Sequence, residues 1–203
     1  MCAIAGLINC GDAALLRRMM AVMGHRGPDS RGHQWWPDCG SGLGHCRLAI
    51  LDLSPRGHQP MSTAEQRDYI TFNGEVYNFQ EIRRELTAEG YTFATGTDTE
   101  VILRAYERWG EACVTRFNGM FAFAIFDARR GRLFAARDHL GLKPFYYWHR
   151  GGQFAFASEI KALLQCPFIE RAPDYDGLLT LPAFNWRPSP DSATSGSCPR
   201  RTP

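Results

Sequence analysis

Residues 1–9 read MCAIAGLIN, so that a cysteine near the chain terminus is followed at once by an apolar run. This apolar run predicts a buried strand. Free cysteine is among the most buried residue types, and one interpretation makes Cys2 a small core side chain. The other makes Cys2 a nucleophile. Removal of Met1 would leave a thiol and an α-amine on one residue, and an amine with a pKa of about 7.7–8.0 can serve as a base.

Composition excludes several classes of protein. A chain of 203 residues with a net charge of +2 predicts one domain with a short appendage and no binding to nucleic acid. No stretch has the roughly 20 apolar residues of a membrane helix, and no basic leader is present, so we expect no membrane association and a cytoplasmic location. The seven cysteines form no C-x-x-C pair, which argues against a zinc site or a secreted disulfide framework.

The remaining patterns predict an α+β fold with antiparallel sheets. Short β-rich segments dominate the first third and residues 120–157, and hairpin-type turns separate several of them. Helical spacing marks four segments and a weaker fifth: 13–24 with Gly24 as C-cap, 79–90, 97–110 with the capping box Thr97-x-x-Glu100, 158–164 and 175–181. From Pro188 the sequence is rich in Pro, Ser and Arg, which predicts disorder.

The segment TFNGEVY, residues 71–77, has two interpretations. Asn-Gly between β-formers is a strong hairpin signal. However, helical spacing from Phe79 leaves little room for a returning strand. The alternative is a strand exit that presents the side-chain amide of Asn73 and the backbone N–H of Gly74. Two adjacent donors are what the oxyanion of a tetrahedral intermediate needs.

Two charged residues are ambiguous in the same way. Arg47 is either a solvated edge arginine or a group that grips a substrate carboxylate. Asp98, in the first turn of a predicted helix, either complements the helix dipole or holds a cationic amine. A papain-like pairing of Cys2 with His25 or His45 has no local signature in this sequence.

Eight ordered motifs together resemble a known family: MCAIAG, HRGPDSRG, GHCRLAILDL, FNGEVYNFQEIR, GTDTEVIL, FNGMFAFAIFD, RDHLGLKPFYY and FASEIKAL. They are similar to the glutaminase domain of glutamine-hydrolysing asparagine synthetases, which are class II amidotransferases and N-terminal nucleophile hydrolases. The resemblance runs from Met1 to about Leu179. It implies a four-layer αββα sandwich of two antiparallel sheets, with Cys2 at the end of a central strand. We place this domain at residues 1–184 and a disordered, atypical tail at 185–203.

The resemblance also implies the substrate and the site. L-glutamine would be attacked at its side-chain amide by Cys2, with the oxyanion held by Asn73 and Gly74. Arg47 would grip the α-carboxylate, and Glu75 and Asp98 would hold the α-ammonium. The pocket wall would be the strand backbone of Leu48, Ala49, Ile50 and Leu51. No metal or cofactor is implied for this domain.

The sequence departs from the family pattern after Leu181. Asparagine synthetases continue into a domain that uses ATP and Mg²⁺ and carries a loop of the form S-G-G-x-D-S. The nearest string here, TSGSCP at 194–199, lacks the second glycine and the aspartate. This indicates a truncated or frame-shifted copy, or a stand-alone subunit that works with a separate synthetase domain or subunit.

Three functions therefore compete. The first is a glutaminase that supplies ammonia for asparagine synthesis. The second is a catalytically silent regulatory or binding module, and the third is a glutaminase that serves an acceptor other than aspartate. A homo-oligomer is compatible with each of them. If a partner domain is absent, we expect Leu140, Leu142 and Phe145 to be exposed.

Overall fold

The computed structural model describes residues 1–50 and 54–172, together with the backbone of a strand at Ala193–Ser197. Leu51, one of the predicted pocket residues, lies outside the described residues. So do the predicted helix at 175–181 and most of the predicted tail.

Within the described part of the chain, ten strands form two antiparallel sheets. The first sheet has the spatial order β2 (Ser30–Trp36), β3 (Ser41–Arg47), β1 (Ala3–Ile8), β9 (Gln153–Ala157) and β8 (Tyr146–Arg150). The second has the order β10 (Ala193–Ser197), β7 (Arg132–Arg137), β6 (Gly119–Asp127), β5 (Asp68–Val76) and β4 (Met61–Ser62). The helices are α1 (Ala13–Ala21), α2 (Phe79–Ala88), α3 (Asp98–Trp109) and α4 (Ile160–Leu163).

Strand β1 is central in its sheet and buried on both faces. Its odd-numbered residues Ala3, Ala5 and Leu7 pack with side chains of α1 and α4. Ile4 and Ile8 point the other way, into the layer between the two sheets. This alternation follows from the two-residue period of a strand. The predicted buried strand behind Cys2 is confirmed.

Helices α2 and α3 cover the outer face of the second sheet. Ile82 and Leu86 of α2 and Ile102 of α3 share one apolar cluster with phenylalanines of that sheet, such as Phe123 of β6. The order of layers is therefore helix, sheet, sheet, helix. The predicted α+β sandwich of two antiparallel sheets is confirmed.

Helix α1 ends earlier than the sequence predicts. Its last residue is Ala21, and the N–H groups of Met23 and Gly24 donate to the carbonyls of Met20 and Ala21. These bonds span three residues, so the chain leaves the helix through a tightened turn. Gly24 closes that turn and is not the helix C-cap.

Two further differences from the sequence predictions concern packing. Within the tail predicted to be disordered, Ala193–Ser197 add to the edge of β7 by main-chain pairing, which needs no apolar side chains. Leu140 and Leu142 are exposed, as expected. The prediction for Phe145 was wrong, because its ring stacks on Phe156 at a centroid distance of 5.0 Å.

Across the described residues, no helix is both long and apolar enough to cross a membrane.

Candidate active site

A cleft opens where β1, β3 and β5 approach the start of α3. Seven of the ten predicted site residues line it: Cys2, Arg47, Leu48, Ile50, Gly74, Glu75 and Asp98. Asn73 and Ala49 are outside the lining, and the Ala49 N–H donates to Asp29 at 2.8 Å.

Cys2 lies directly before β1, at the end of the strand that reaches the cleft. Its Sγ is 3.4 Å from the N–H of Leu48 and 3.5 Å from the Leu48 carbonyl oxygen. The thiol is half-buried and faces the cleft, unlike Cys46, which is fully buried. Cys2 is therefore placed as a nucleophile would be, and the core interpretation does not describe it.

Asn73 and Gly74 lie within β5 and not in a turn. They pair with Ala122 and Phe121 of β6, so the hairpin interpretation was wrong. The strand continues to Val76 because β6 supplies a partner from a distant part of the chain, which local sequence cannot reveal.

The side chain of Asn73 points into the layer between the sheets. Thr71, on the same face of β5, donates to the Gly44 carbonyl of the first sheet, and Asn73 shares that face by strand alternation. Asn73 is 2% exposed, and its Nδ2 is buried with no hydrogen-bond partner among the described residues. A buried donor without an acceptor is costly, which points to an acceptor supplied by a bound molecule.

Gly74 lines the cleft with backbone atoms alone, because a side chain does not fit at this position. A Cβ at this position would lie 2.2 Å from the carbonyl oxygen of Met120. The close approach of β5 and β6 therefore requires glycine at this position.

Arg47 ends β3 and lies along the cleft wall. Its Nη1 donates to the Ser54 carbonyl at 2.9 Å. Its guanidinium packs over Gly57, where a Cβ would come within 2.2 Å of Nη2. The Arg47 guanidinium is thus held at the cleft, and the interpretation of Arg47 as a solvated edge arginine was wrong.

Two carboxylates, Glu75 and Asp98, line the same cleft. Asp98 is 4% exposed and accepts a hydrogen bond from the Val76 N–H at 3.1 Å. Burial raises the pKa of Asp98 to about 6; the N–H groups of Val76 and Thr99 oppose this rise, and nearby Glu75 adds to it. Among the described residues neither carboxylate forms an ion pair, so the pair is suited to an external cation.

The histidines do not form a papain-like pair with Cys2. His45 lines the cleft, but its Nε2 donates to the Phe72 carbonyl at 3.1 Å. Burial lowers the pKa of His45 to about 3, so the ring is neutral and a weak base at neutral pH. His25 is exposed and bonds to Glu159.

Sequence reasoning missed two polar residues around the site. Gln59 is buried, accepts from the Phe72 N–H at 2.7 Å and donates to Thr99 at 3.2 Å, which joins β5 to the start of α3. Arg26 donates through Nε to the Cys2 carbonyl at 3.1 Å. Arg26 lies in the motif HRGPDSRG, but no spacing rule links a loop arginine to a residue 24 positions earlier.

Comparisons with known proteins identify the family of this chain. The family model described as a glutamine amidotransferase domain matches residues 1–196. A putative asparagine synthetase [glutamine-hydrolyzing] 2 from Methanocaldococcus jannaschii is 40% identical over 95% of this chain. Asparagine synthetase [glutamine-hydrolyzing] 3 from Bacillus subtilis is 42% identical over 88% of it. The chain spans 41% and 30% of the length of these two relatives.

Solved structures agree on the fold. The glutamine phosphoribosylpyrophosphate amidotransferase from B. subtilis superimposes with a TM-score of 0.70 at 20% identity, covering 79% of this chain and 42% of that one. At this identity the likeness concerns the fold alone. The extent of the family match and the identity to the curated relatives go further: this chain belongs to the glutamine amidotransferase domain family.

Proposed function

We propose that this domain hydrolyses the side-chain amide of L-glutamine to glutamate and ammonia, with Cys2 as nucleophile. The observation that carries the proposal is the buried, unpartnered amide donor of Asn73. Asn73 directly precedes Gly74, which lines the cleft that holds Cys2. The hydrogen bond from such a donor is strongest when negative charge develops on a substrate oxygen.

The reaction would proceed in two halves. The Cys2 thiolate attacks the amide carbon, and the oxyanion accepts hydrogen bonds from Asn73 Nδ2 and the Gly74 N–H. The base that took the thiol proton gives it to the leaving nitrogen, so the tetrahedral adduct collapses to a γ-glutamyl thioester with loss of ammonia. Water then attacks the thioester carbon, and glutamate leaves as the Cys2 sulfur is released.

The base in this scheme is the α-amine of Cys2, which requires removal of Met1. His45 is unsuited to the role because its proton is held by the Phe72 carbonyl and its pKa is low. We expect mass spectrometry of the cytoplasmic protein to show loss of Met1. Full activity in protein that retains Met1 would contradict the amine's role.

Substrate binding would use the charged residues that line the same cleft. The Arg47 guanidinium, with its two-pronged geometry, would take the α-carboxylate of glutamine. Glu75 and Asp98 would take the α-ammonium, which supplies the cation that these carboxylates lack among the described residues. None of these steps calls for a metal or a cofactor; in our proposal ATP and Mg²⁺ serve the synthesis of asparagine elsewhere.

We further propose that the ammonia serves asparagine synthesis in a separate synthetase domain or subunit. The names of the curated relatives, and the part of their length that lies beyond the match, support this acceptor. A catalytically silent module and a different acceptor are the alternatives.

A glutaminase assay tests the first part. Purified protein should release glutamate and ammonia from glutamine in equal amounts, and Cys2→Ala should abolish the release while the circular dichroism spectrum stays unchanged. Absence of turnover in folded, Met1-free protein would favour the silent module. Asparagine formed from aspartate, ATP and glutamine only after addition of a synthetase partner would support the proposed acceptor.

A further inference from the structure

The terminus of this chain is held by a side chain from another segment. Arg26 donates through Nε to the carbonyl oxygen of Cys2 at 3.1 Å. The first residues of a domain fray unless something ties them down. Because the Cys2 carbonyl is fixed, so is the rotation that aims the Cα–Cβ bond and the thiol into the cleft.

Arg26 itself depends on one carboxylate. Its side chain is 12% exposed, and its Nη1 lies 3.3 Å from Glu159 Oε1. Its Nη2 is buried and has no acceptor among the described residues. Glu159 is the one described carboxylate that pairs with this mostly buried guanidinium, which needs both a counter-charge and an orienting acceptor.

Glu159 is in turn contacted by two further side chains. His25 Nε2 and Lys161 Nζ each lie 2.9 Å from its carboxylate oxygens. Burial alone would raise the pKa of Glu159, but hydrogen bonds from Lys161, Arg26 and His25 outweigh it and hold that pKa below its usual value. The carboxylate therefore stays ionised at neutral pH, as the support of Arg26 requires.

The residue before Glu159 holds the same strand. Ser158 Oγ accepts from the Ile4 N–H at 2.9 Å, and the Ser158 N–H donates to the Ile4 carbonyl at 2.9 Å. Ser158 and Glu159 are consecutive. Together they fix Ile4 directly and Cys2 through Arg26, so the start of β1 is held at two points from the segment between β9 and α4.

We propose that Glu159 is a positioning residue for glutamine hydrolysis, acting through Arg26 on the backbone of Cys2. This inference rests on the proposed glutaminase function. Glu159 does not line the cleft. Loss of the Glu159 carboxylate should therefore disturb the orientation of the Cys2 thiol and leave the binding of glutamine intact.

The variant Glu159→Gln keeps the shape and removes the charge. We expect kcat to fall about 10–100-fold, because a modest misplacement of a reacting group slows a reaction by about this factor. The KM for glutamine should change less than about threefold. Lys161→Gln is the matched control, because it also breaks an ion pair of Glu159 but leaves Arg26 in place. It should keep kcat within about twofold.

A double variant separates positioning from general loosening of the structure. If both residues act on Cys2 through one contact, Arg26→Gln combined with Glu159→Gln should lose no more kcat than Arg26→Gln alone. Additive losses, a rise in KM that matches the fall in kcat, or an equal loss in Lys161→Gln would overturn the proposal.

A second readout does not depend on turnover. Peptide mass spectrometry gives the rate at which iodoacetamide alkylates Cys2. Glu159→Gln and Arg26→Gln should change this rate by the same factor, and Lys161→Gln should not change it. Wild-type protein without glutaminase activity would contradict the proposed function, whereas an unchanged alkylation rate in both variants would overturn the positioning role alone.

Discussion

Asn73 is the residue that most directly supports catalysis, because its buried Nδ2 has no partner among the described residues. We expect Asn73→Ala to lower kcat about 10²–10³-fold, the usual loss for one oxyanion donor. The KM for glutamine should change little. The free energy of unfolding, measured in urea, should stay nearly unchanged, because the side-chain amide has no hydrogen bond within the fold to lose.

Arg47→Ala provides the contrasting variant. Binding of the substrate α-carboxylate stabilises the ground state and the transition state equally. Its loss should therefore mainly raise KM and leave kcat nearly unchanged. If Asn73→Ala kept full kcat while Arg47→Ala lost it, the two roles would have been assigned to the wrong residues.

Asp98 links substrate binding to pH. Burial raises its pKa from an ordinary 3.8 to about 6. The α-ammonium of glutamine needs the ionised form, so affinity should be full above pH 6 and fall below it. Calorimetric titration of the Cys2→Ala variant with glutamine should show a dissociation constant that rises as the pH falls through about 6. The same titration in Cys2→Ala/Arg47→Ala should show weaker binding with the inflection at the same pH.

The same shift predicts an effect on stability. Because the folded protein binds this proton more tightly than the unfolded chain, the stabilisation it contributes is complete below about pH 3.8 and is lost as the pH rises through about 6. At neutral pH the ionised carboxylate costs about 2–3 kcal/mol. Asp98→Asn should therefore raise the free energy of unfolding at pH 7 and leave it unchanged near pH 4, while glutamine binding weakens. Lower stability of Asp98→Asn at pH 7 would contradict this.

At the scale of elements, the turn after β7 is built around one carboxylate. Asp138 is 4% exposed and accepts from four backbone N–H groups, those of Phe121, Leu140, Leu142 and Lys143, at 2.8–3.2 Å. It thereby joins β6 to the turn that carries the two exposed leucines.

Asp138→Ala would leave these donors without their acceptor. Each buried unsatisfied donor costs about 1–3 kcal/mol, and water can reach some of them, so we expect the free energy of unfolding to fall by about 3 kcal/mol or more. Asp12→Ala removes an N-cap acceptor from α1 and should cost only about 1 kcal/mol. Equal losses in the two variants, measured in urea, would show that the turn does not depend on Asp138.

Element positions followed largely from local patterns. The N-cap of α3 was predicted, and Thr97 does accept from the Glu100 N–H. The predicted capping box is only half formed, because the Glu100 carboxylate bonds to the N–H groups of Ala94 and Thr95 and not to that of Thr97. The loop before the helix decides where this side chain turns, and local spacing does not encode that.

On the scale of the whole molecule, Leu140 and Leu142 are exposed at 79% and 60%. Neighbouring exposed apolar side chains favour contact with a partner or with a second copy. We expect the isolated protein to self-associate as its concentration rises, and Leu140→Lys/Leu142→Lys to reduce this in light scattering. Tyr77→Lys, which removes an exposed side chain after β5, should leave the association unchanged. Wild-type protein that stays monomeric at every concentration would rule this surface out as the cause.

The sequence by itself determined most of the elements and which residues are candidates for the site, because strand and helix periods and the residue types at Cys2, Asn73 and Arg47 are local properties. Tertiary structure alone decided which distant groups meet. Pairing with β6 made Asn73-Gly74 part of a strand, and Phe156 covered Phe145. Glu159 reached Arg26 across 133 positions. Such contacts depend on strand register and on the order of layers, and both arise from packing of the whole core and not from any single segment.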